Sequence, residues 1–264
     1  MNRNSFSNIG LRMASRVILG ASILFASSVL AEDAIDTDGP DFVESSEVVP
    51  KGRFQYEVDV MAVRDRRVPS TSPALGTPAL LKYGIAENVE LRVAPAGYVR
   101  QNGAAGGGDT AFGLKWHTQD RDAAANTPAV SWIFHVDAPT GSGPFRGRGT
   151  RPSLRSVITW DLPNDFAFGI MPGLKRDIRE DGRRFNSAIF GAVLNKRLND
   201  HVRLFVEAAA AQIARSRDGG MQATWDVGAA YLVNLDVQIG ARAGIAANRN
   251  TPDSYLLFEL AQRF

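Results

Sequence analysis

The chain has no cysteine, so it can form neither a disulfide framework nor a thiolate metal site. Its three histidines, His117, His135 and His201, stand in separate stretches without metal-ligand spacing. After residue 30 it has no run of about 18 apolar residues, which excludes helical membrane spans. Charge of one sign is also missing. Of 30 Lys and Arg, three (Arg3, Arg12 and Arg16) lie in the first 31 residues, leaving 27 against 28 acids in the rest. That balance offers nothing to a nucleic-acid backbone. Gly141-Ser142-Gly143 is not the G-x-S-x-G elbow of a hydrolase, and Gly106-Gly107-Gly108 leads into a strand pattern rather than a phosphate-binding helix. No catalytic residue, cofactor or metal is expected.

What is present begins with an export signal. The three arginines precede an apolar run, Val17 to Leu30, which is too short to span a bilayer and ends at Val29-Leu30-Ala31 before Glu32-Asp33. We expect a signal peptide over 1–31, an acidic leader over 32–50 and a barrel over 51–264.

Beyond Pro50 the chain alternates with a period of two, which makes strands with one apolar and one polar face. Phe54, Tyr56, Val58 and Val60 oppose Gln55, Glu57 and Asp59; Trp132 and Phe134 oppose Ser131 and His135; Leu256, Phe258 and Leu260 oppose Glu259. Twelve such stretches are expected, at 52–64, 77–85, 88–99, 108–118, 127–137, 151–161, 165–176, 184–197, 201–214, 221–233, 236–247 and 254–264. Tight turns at 86–88, 162–165, 198–200 and 234–236 alternate with longer Gly- and Arg-rich loops, and only the 119–126 turn breaks the rhythm. Phe54, Trp116, Trp160, Phe166, Tyr231 and Phe264 fall on the apolar parity near the short-turn ends, as an aromatic girdle would. These features predict an all-β protein, a single antiparallel up-and-down transmembrane β-barrel of about 12 strands. Its first and last strands should pair so that no edge meets lipid.

Lys or Arg facing lipid at the midplane costs about 2–4 kcal/mol, so the charged parity must line the lumen. That set is Glu57, Asp59, Lys82, Glu90, Arg92, Lys115 and His135, with Asp137, Arg155, Lys175, Glu207, Asp226, Arg242 and Glu259. It would line a hydrated conduit or, alternatively, form a sealing network of ion pairs. His135 with Ser131 or Asp137 has the makings of a proton relay, but a histidine in a polar network is commoner.

The leader from Glu32 to Pro50 carries seven acids and no Lys or Arg. Its composition favours a solvated segment; the alternative is a plug paired with Arg92, Arg155 or Arg242. The long loops hold fourteen arginines against six acids. Of these, Arg146, Arg148 and Arg151 are candidates for binding anions such as lipopolysaccharide phosphates, against a plain solvated surface.

The pieces Thr37-Asp38-Gly39-Pro40-Asp41-Phe42-Val43-Glu44-Ser45, Val49 to Glu57, Thr77 to Gly84, Gly108 to Trp116 and Ala138-Pro139-Thr140-Gly141 carry a family resemblance. In that order they are similar to the outer-membrane transporter family named for the MetA pathway of phenol degradation. Gly39 stands where the resemblance leads one to expect Arg, which puts any salt bridge of that Arg in doubt. The resemblance implies a barrel in the outer membrane of a Gram-negative bacterium and suggests transport of a small, aromatic or anionic solute. The alternatives are a non-conducting structural or lipopolysaccharide-binding barrel and an outer-membrane lipid-modifying enzyme. Expected partners are outer-membrane lipid, the solute and the barrel-assembly machinery, the last through the strand ending at Phe264.

Overall fold

The computed structural model describes residues 33–67 and 73–264, so the signal peptide expected over 1–31 lies outside the described residues. The strands in chain order are β1 Phe54–Arg64, β2 Ala74–Gly76, β3 Ala79–Ala86, β4 Val89–Pro95, β5 Tyr98–Gln101, β6 Ala104–Gly107, β7 Thr110–Gln119, β8 Ala129–Ala138, β9 Arg151–Leu162, β10 Phe166–Ile178, β11 Arg184–Arg197, β12 Val202–Ile213, β13 Met221–Asn234, β14 Val237–Ala246 and β15 Ser254–Arg263. Twelve of these are barrel staves; β2, β5 and β6 are short strands that extend the long-loop end. Each stave pairs antiparallel with its neighbour, and β1 closes on β15 from Gln55 opposite Arg263 to Arg64 opposite Ser254. Closure removes every lipid-facing edge, the condition a membrane sheet must meet.

The expected staves recur within a few residues, with one difference. The stretch 88–99 is not one strand: β4 stops at Pro95, and the chain restarts as β5 after the left-handed Gly97. Proline lacks the amide the ladder would need next. The Leu162–Phe166 turn sets Asn164 and Asp165 at positive φ, which these short polar side chains tolerate better than most.

Polarity runs inside out. Val60, Trp225 and Phe258 are 55%, 60% and 54% exposed, whereas Glu90 and Lys115 are 0% exposed. An apolar band of this extent belongs against lipid rather than water. The interior is not wholly polar, however. Ile133, Val157, Met171, Val193 and Phe205 form an apolar cluster on the inner wall, which alternation at charged positions did not reveal. Val43 of the leader completes it.

Candidate functional site

The leader lies inside the lumen, where composition had favoured solvent. The chemistry of the wall accounts for the difference. Lys82, Arg92 and Lys115 project from β3, β4 and β7 at 2% exposure or less, and buried cations need anions. Asp38 supplies one carboxylate to all three, at 3.0 Å from Lys82, 3.1 Å from Arg92 and 2.6 Å from Lys115. Wall acids complete the cluster: Glu57 lies 2.6 Å from Lys82, and Glu90 lies 3.0 Å from Arg92. Glu44 bridges Arg92, at 2.6 Å, and Arg155 on β9.

Wall carboxylates also hold the leader by its backbone, a grip independent of leader side chains. Glu57 accepts from the amides of Asp38 and Gly39, at 3.1 and 3.2 Å. Glu207 accepts from those of Phe42 and Val43, at 2.9 and 2.7 Å, and Glu90 from that of Val49, at 2.8 Å. The Ser46 carbonyl accepts from the Ser131 hydroxyl, and the Thr159 hydroxyl donates to Ser46 Oγ at 2.7 Å. Glycine clears the track at close approaches. A Cβ at Gly191 would stand 2.6 Å from Val43 Cγ2, and one at Gly240 would stand 2.6 Å from Pro40 Cγ.

The leader carboxylates are tuned by this setting. Burial works to raise the Glu44 carboxyl, but the guanidiniums of Arg155 and Arg92 outweigh it and bring the group down to about 2. Burial likewise opposes ionisation of Asp38, yet Arg92, Lys115 and Lys82 hold it well below the usual carboxylate range. Asp36 is pushed up by burial.

Of the expected lumen residues, Glu57, Lys82, Glu90, Arg92, Lys115, His135, Glu207, Asp226 and Glu259 are buried on the inner wall. Asp59, Asp137, Arg155, Lys175 and Arg242 are partly buried there. The cations divide between two fates. Lys82, Arg92, Lys115 and Arg155 hold the leader; Arg242, named as a plug partner, instead lies 3.3 Å from wall Glu207. Lys175 joins Asp137 at 3.0 Å and Asp177 at 3.6 Å. His135 forms no relay with Ser131 or Asp137: Arg155 Nη2 donates to its Nδ1 at 3.2 Å.

Among the loop arginines, Arg151 does not fit an anion site. It opens β9, and its guanidinium is occupied by Asp109 at 2.8 Å and Asp137 at 3.3 Å. Arg146 and Arg148 are exposed. Arg203 and Arg121 are among the leader partners that escaped sequence reasoning. Arg203 on β12 pairs with Asp41 at 2.9 Å; it lies on the charged parity of its strand, where it could have been found. Arg121, in the long 119–126 turn, reaches Glu47 at 2.6 Å and Asp161 at 3.1 Å. The one irregular turn thus touches the leader, and its length was the available signal.

The leader divides the lumen. A cavity of about 490 Å³ at the short-turn end is bounded by Thr37, Asp41, Asn195, His201 and Arg203 among others. One of about 540 Å³ at the long-loop end is bounded by Leu80, Arg92, Val99, His135 and Phe145 among others. Among the described residues, Glu44 is the single one that lines both.

This geometry agrees with the sequence comparison. Residues 37–264 match the family described as "Putative MetA-pathway of phenol degradation". The chain belongs to that family. The matched segment starts in the leader, so leader and staves fall within one family unit. A search of curated proteins gave no match. Among solved structures, the chain is similar to an outer membrane channel from Pseudomonas putida F1, at 12% identity and TM-score 0.62, covering 83% of this chain and 98% of that one. It is also similar to the NanC porin, at 14% identity and TM-score 0.54 over 77% and 97% of the two chains. The KdgM porin, solved in complex with disordered oligogalacturonate, is similar at 8% identity and TM-score 0.52 over 80% and 98%. At such identities the likeness establishes an outer-membrane-type barrel fold.

Proposed function

We propose that the protein is an outer-membrane channel for a small solute and that its own N-terminal leader is the gate. The observation that carries this is the meeting of two cavities, one from each end, at Glu44 of the leader. A barrel whose only role was structural would need no such pair of vestibules, since staves can be sealed by their own side chains. The short turns, the start of β1 and the end of β15 lie at one face, which faces the periplasm in barrels of this class. The leader therefore enters from the periplasmic side after signal cleavage at Ala31. The gate is charge-matched to the wall: an acidic segment without Lys or Arg sits against Lys82, Arg92, Lys115 and Arg155.

Planar-bilayer recording of the mature chain, and of a form lacking residues 32–48, tests this. The intact protein should give small, infrequent steps and the deletion larger, sustained ones. Identical conductance would reject the leader as gate, and silence from both would reject the channel. The loop residues Arg146 and Arg148 support a second contact, with lipopolysaccharide phosphates around the outer loops. Reversing both charges should weaken lipopolysaccharide binding; unchanged affinity removes that contact.

A further inference from the structure

We infer that the outer cavity is a binding site for a small carboxylate with an apolar body, and that Glu44 occupies the carboxylate position when the channel is closed. This rests on the channel reading and names the solute class for the same lumen.

Three observations converge. First, the cavity lining is mixed: Leu80, Ala94, Val99 and Phe145 are apolar, whereas Arg92, His135 and Arg155 are cationic or polar. Second, the polar lining presents donors that nothing fills. Among the described residues, Arg92 Nε and His135 Nε2 are buried without a hydrogen-bond partner. Both side chains are more than nine-tenths buried, at 2% and 8% exposure. Because Arg155 donates to His135 Nδ1, that nitrogen must offer its lone pair, which leaves the ring proton on Nε2. Both nitrogens belong to residues that line the cavity, and a buried donor calls for an acceptor. Third, the acceptor already there is borrowed. Glu44 belongs to the leader rather than the wall, and its carboxylate binds both Arg92 and Arg155.

Charge counting fixes the class. Asp109 pairs with Arg151, Asp137 is shared by Arg151 and Lys175, and Arg92 keeps Glu90, so withdrawal of Glu44 takes one negative charge from Arg155. A monocarboxylate restores it by taking the place of Glu44 beside Arg155 and Arg92. The apolar lining residues give its body a contact surface that a hydrated inorganic anion cannot use. Solute and Glu44 then compete for the same guanidiniums, so binding from outside loosens the leader.

The test uses the mature protein in detergent, with benzoate, acetate and benzyl alcohol titrated calorimetrically. On Glu44→Gln, benzoate should bind at least about tenfold tighter than on the unaltered chain, because the competing carboxylate is gone. Acetate and benzyl alcohol should each bind at least about tenfold more weakly than benzoate, lacking the body or the charge respectively. Adding Arg155→Gln to Glu44→Gln should abolish the gain, which separates a defined site from general opening of the lumen. Equal benzoate affinity with and without Glu44, equal binding of acetate and benzoate, or no effect of Arg155→Gln would each overturn the inference. Bilayer recording of the same preparations keeps the two readings apart. Conductance without benzoate binding rejects the site and leaves the channel; benzoate binding as described with silent bilayers supports the site and rejects the channel.

Discussion

Neutralising Asp38 should release the leader while the barrel stays closed. In the docked state its carboxylate stands within 3.1 Å of Lys82, Arg92 and Lys115, whose side chains are at most 2% exposed. In the undocked state Asp38 is in water and the substitution Asp38→Asn changes little, so the loss falls on docking. Removing one member of a buried ion-pair group costs about 3–5 kcal/mol, chiefly because the remaining charges stay desolvated. At about 1.4 kcal/mol per tenfold, the undocked population should rise roughly 10²- to 4 × 10³-fold. The absence of cysteine provides the assay. A Ser46→Cys chain carries one thiol at a position only 1% exposed, and its maleimide labelling rate reports how often the leader leaves. Combining Asp38→Asn with Ser46→Cys should accelerate labelling by the factor above, with unchanged mobility of the folded barrel in a heat-modifiability gel. Acceleration of less than about threefold would show that this cluster does not hold the leader, and the electrostatic account of docking would fail with it.

Acidification should act in the same direction. Because docking lowers the Glu44 carboxyl from its ordinary 4.5 to about 2, its contribution is complete above the ordinary value and lost as pH falls toward the docked one. Asp38, held low by Arg92, Lys115 and Lys82, adds to this; Asp36, raised by burial, opposes it. Conductance measured from pH 5 down to pH 2.5 should therefore rise, and a fall would contradict the balance. Arg121→Ala removes the turn's contact with Glu47, but both side chains are 35% exposed, so the loss is about 0–1 kcal/mol. Maleimide labelling of the Ser46→Cys chain should then quicken less than about fivefold. Gly39→Arg should slow the same labelling: the obstacle to a side chain there is the carboxyl end of the Glu259 side chain, with which an arginine can pair once that end rotates aside. Brominated acyl chains should quench most of the tryptophan fluorescence, since Trp116, Trp132 and Trp225 are 49%, 42% and 60% exposed on the lipid-facing wall.

The staves, their number and their closure were legible because a period of two records which face each residue takes, and lipid outside forces the charges inward. The same parity placed Lys82, Arg92, Lys115 and Arg155 in the lumen without saying what they meet there. Partner choice depends on tertiary distance. Arg242 and Arg155 look alike along the chain, yet one lies beside Glu207 and the other beside Glu44. Val157, Met171 and Val193 were hidden for a related reason: an apolar residue on a charged parity reads as an interruption until Val43 arrives to cover it.

The leader is where sequence reasoning and structure diverge most, and the divergence has a physical cause. Seven acids with no compensating base describe a segment that cannot fold alone, which is also what solvated, disordered segments look like. The information that distinguishes the two cases lies in the wall. Gly191 and Gly240 remove side chains where Val43 and Pro40 pass, and Glu57, Glu90 and Glu207 offer acceptors to backbone amides that no strand could satisfy. Gly39 extends the point. One carboxylate oxygen of Glu259 lies 1.7 Å from where a Cβ at 39 would stand, and its other oxygen has no hydrogen-bond partner among the described residues. The position that family resemblance assigns to an arginine is thus filled from the opposite side by an acid, leaving the leader held in the lumen by its own acids, Asp38, Asp41 and Glu44. A gate so held is stable while wall cations lack other anions and yields when one arrives, which makes the strength of closure a property of what is dissolved at the outer mouth.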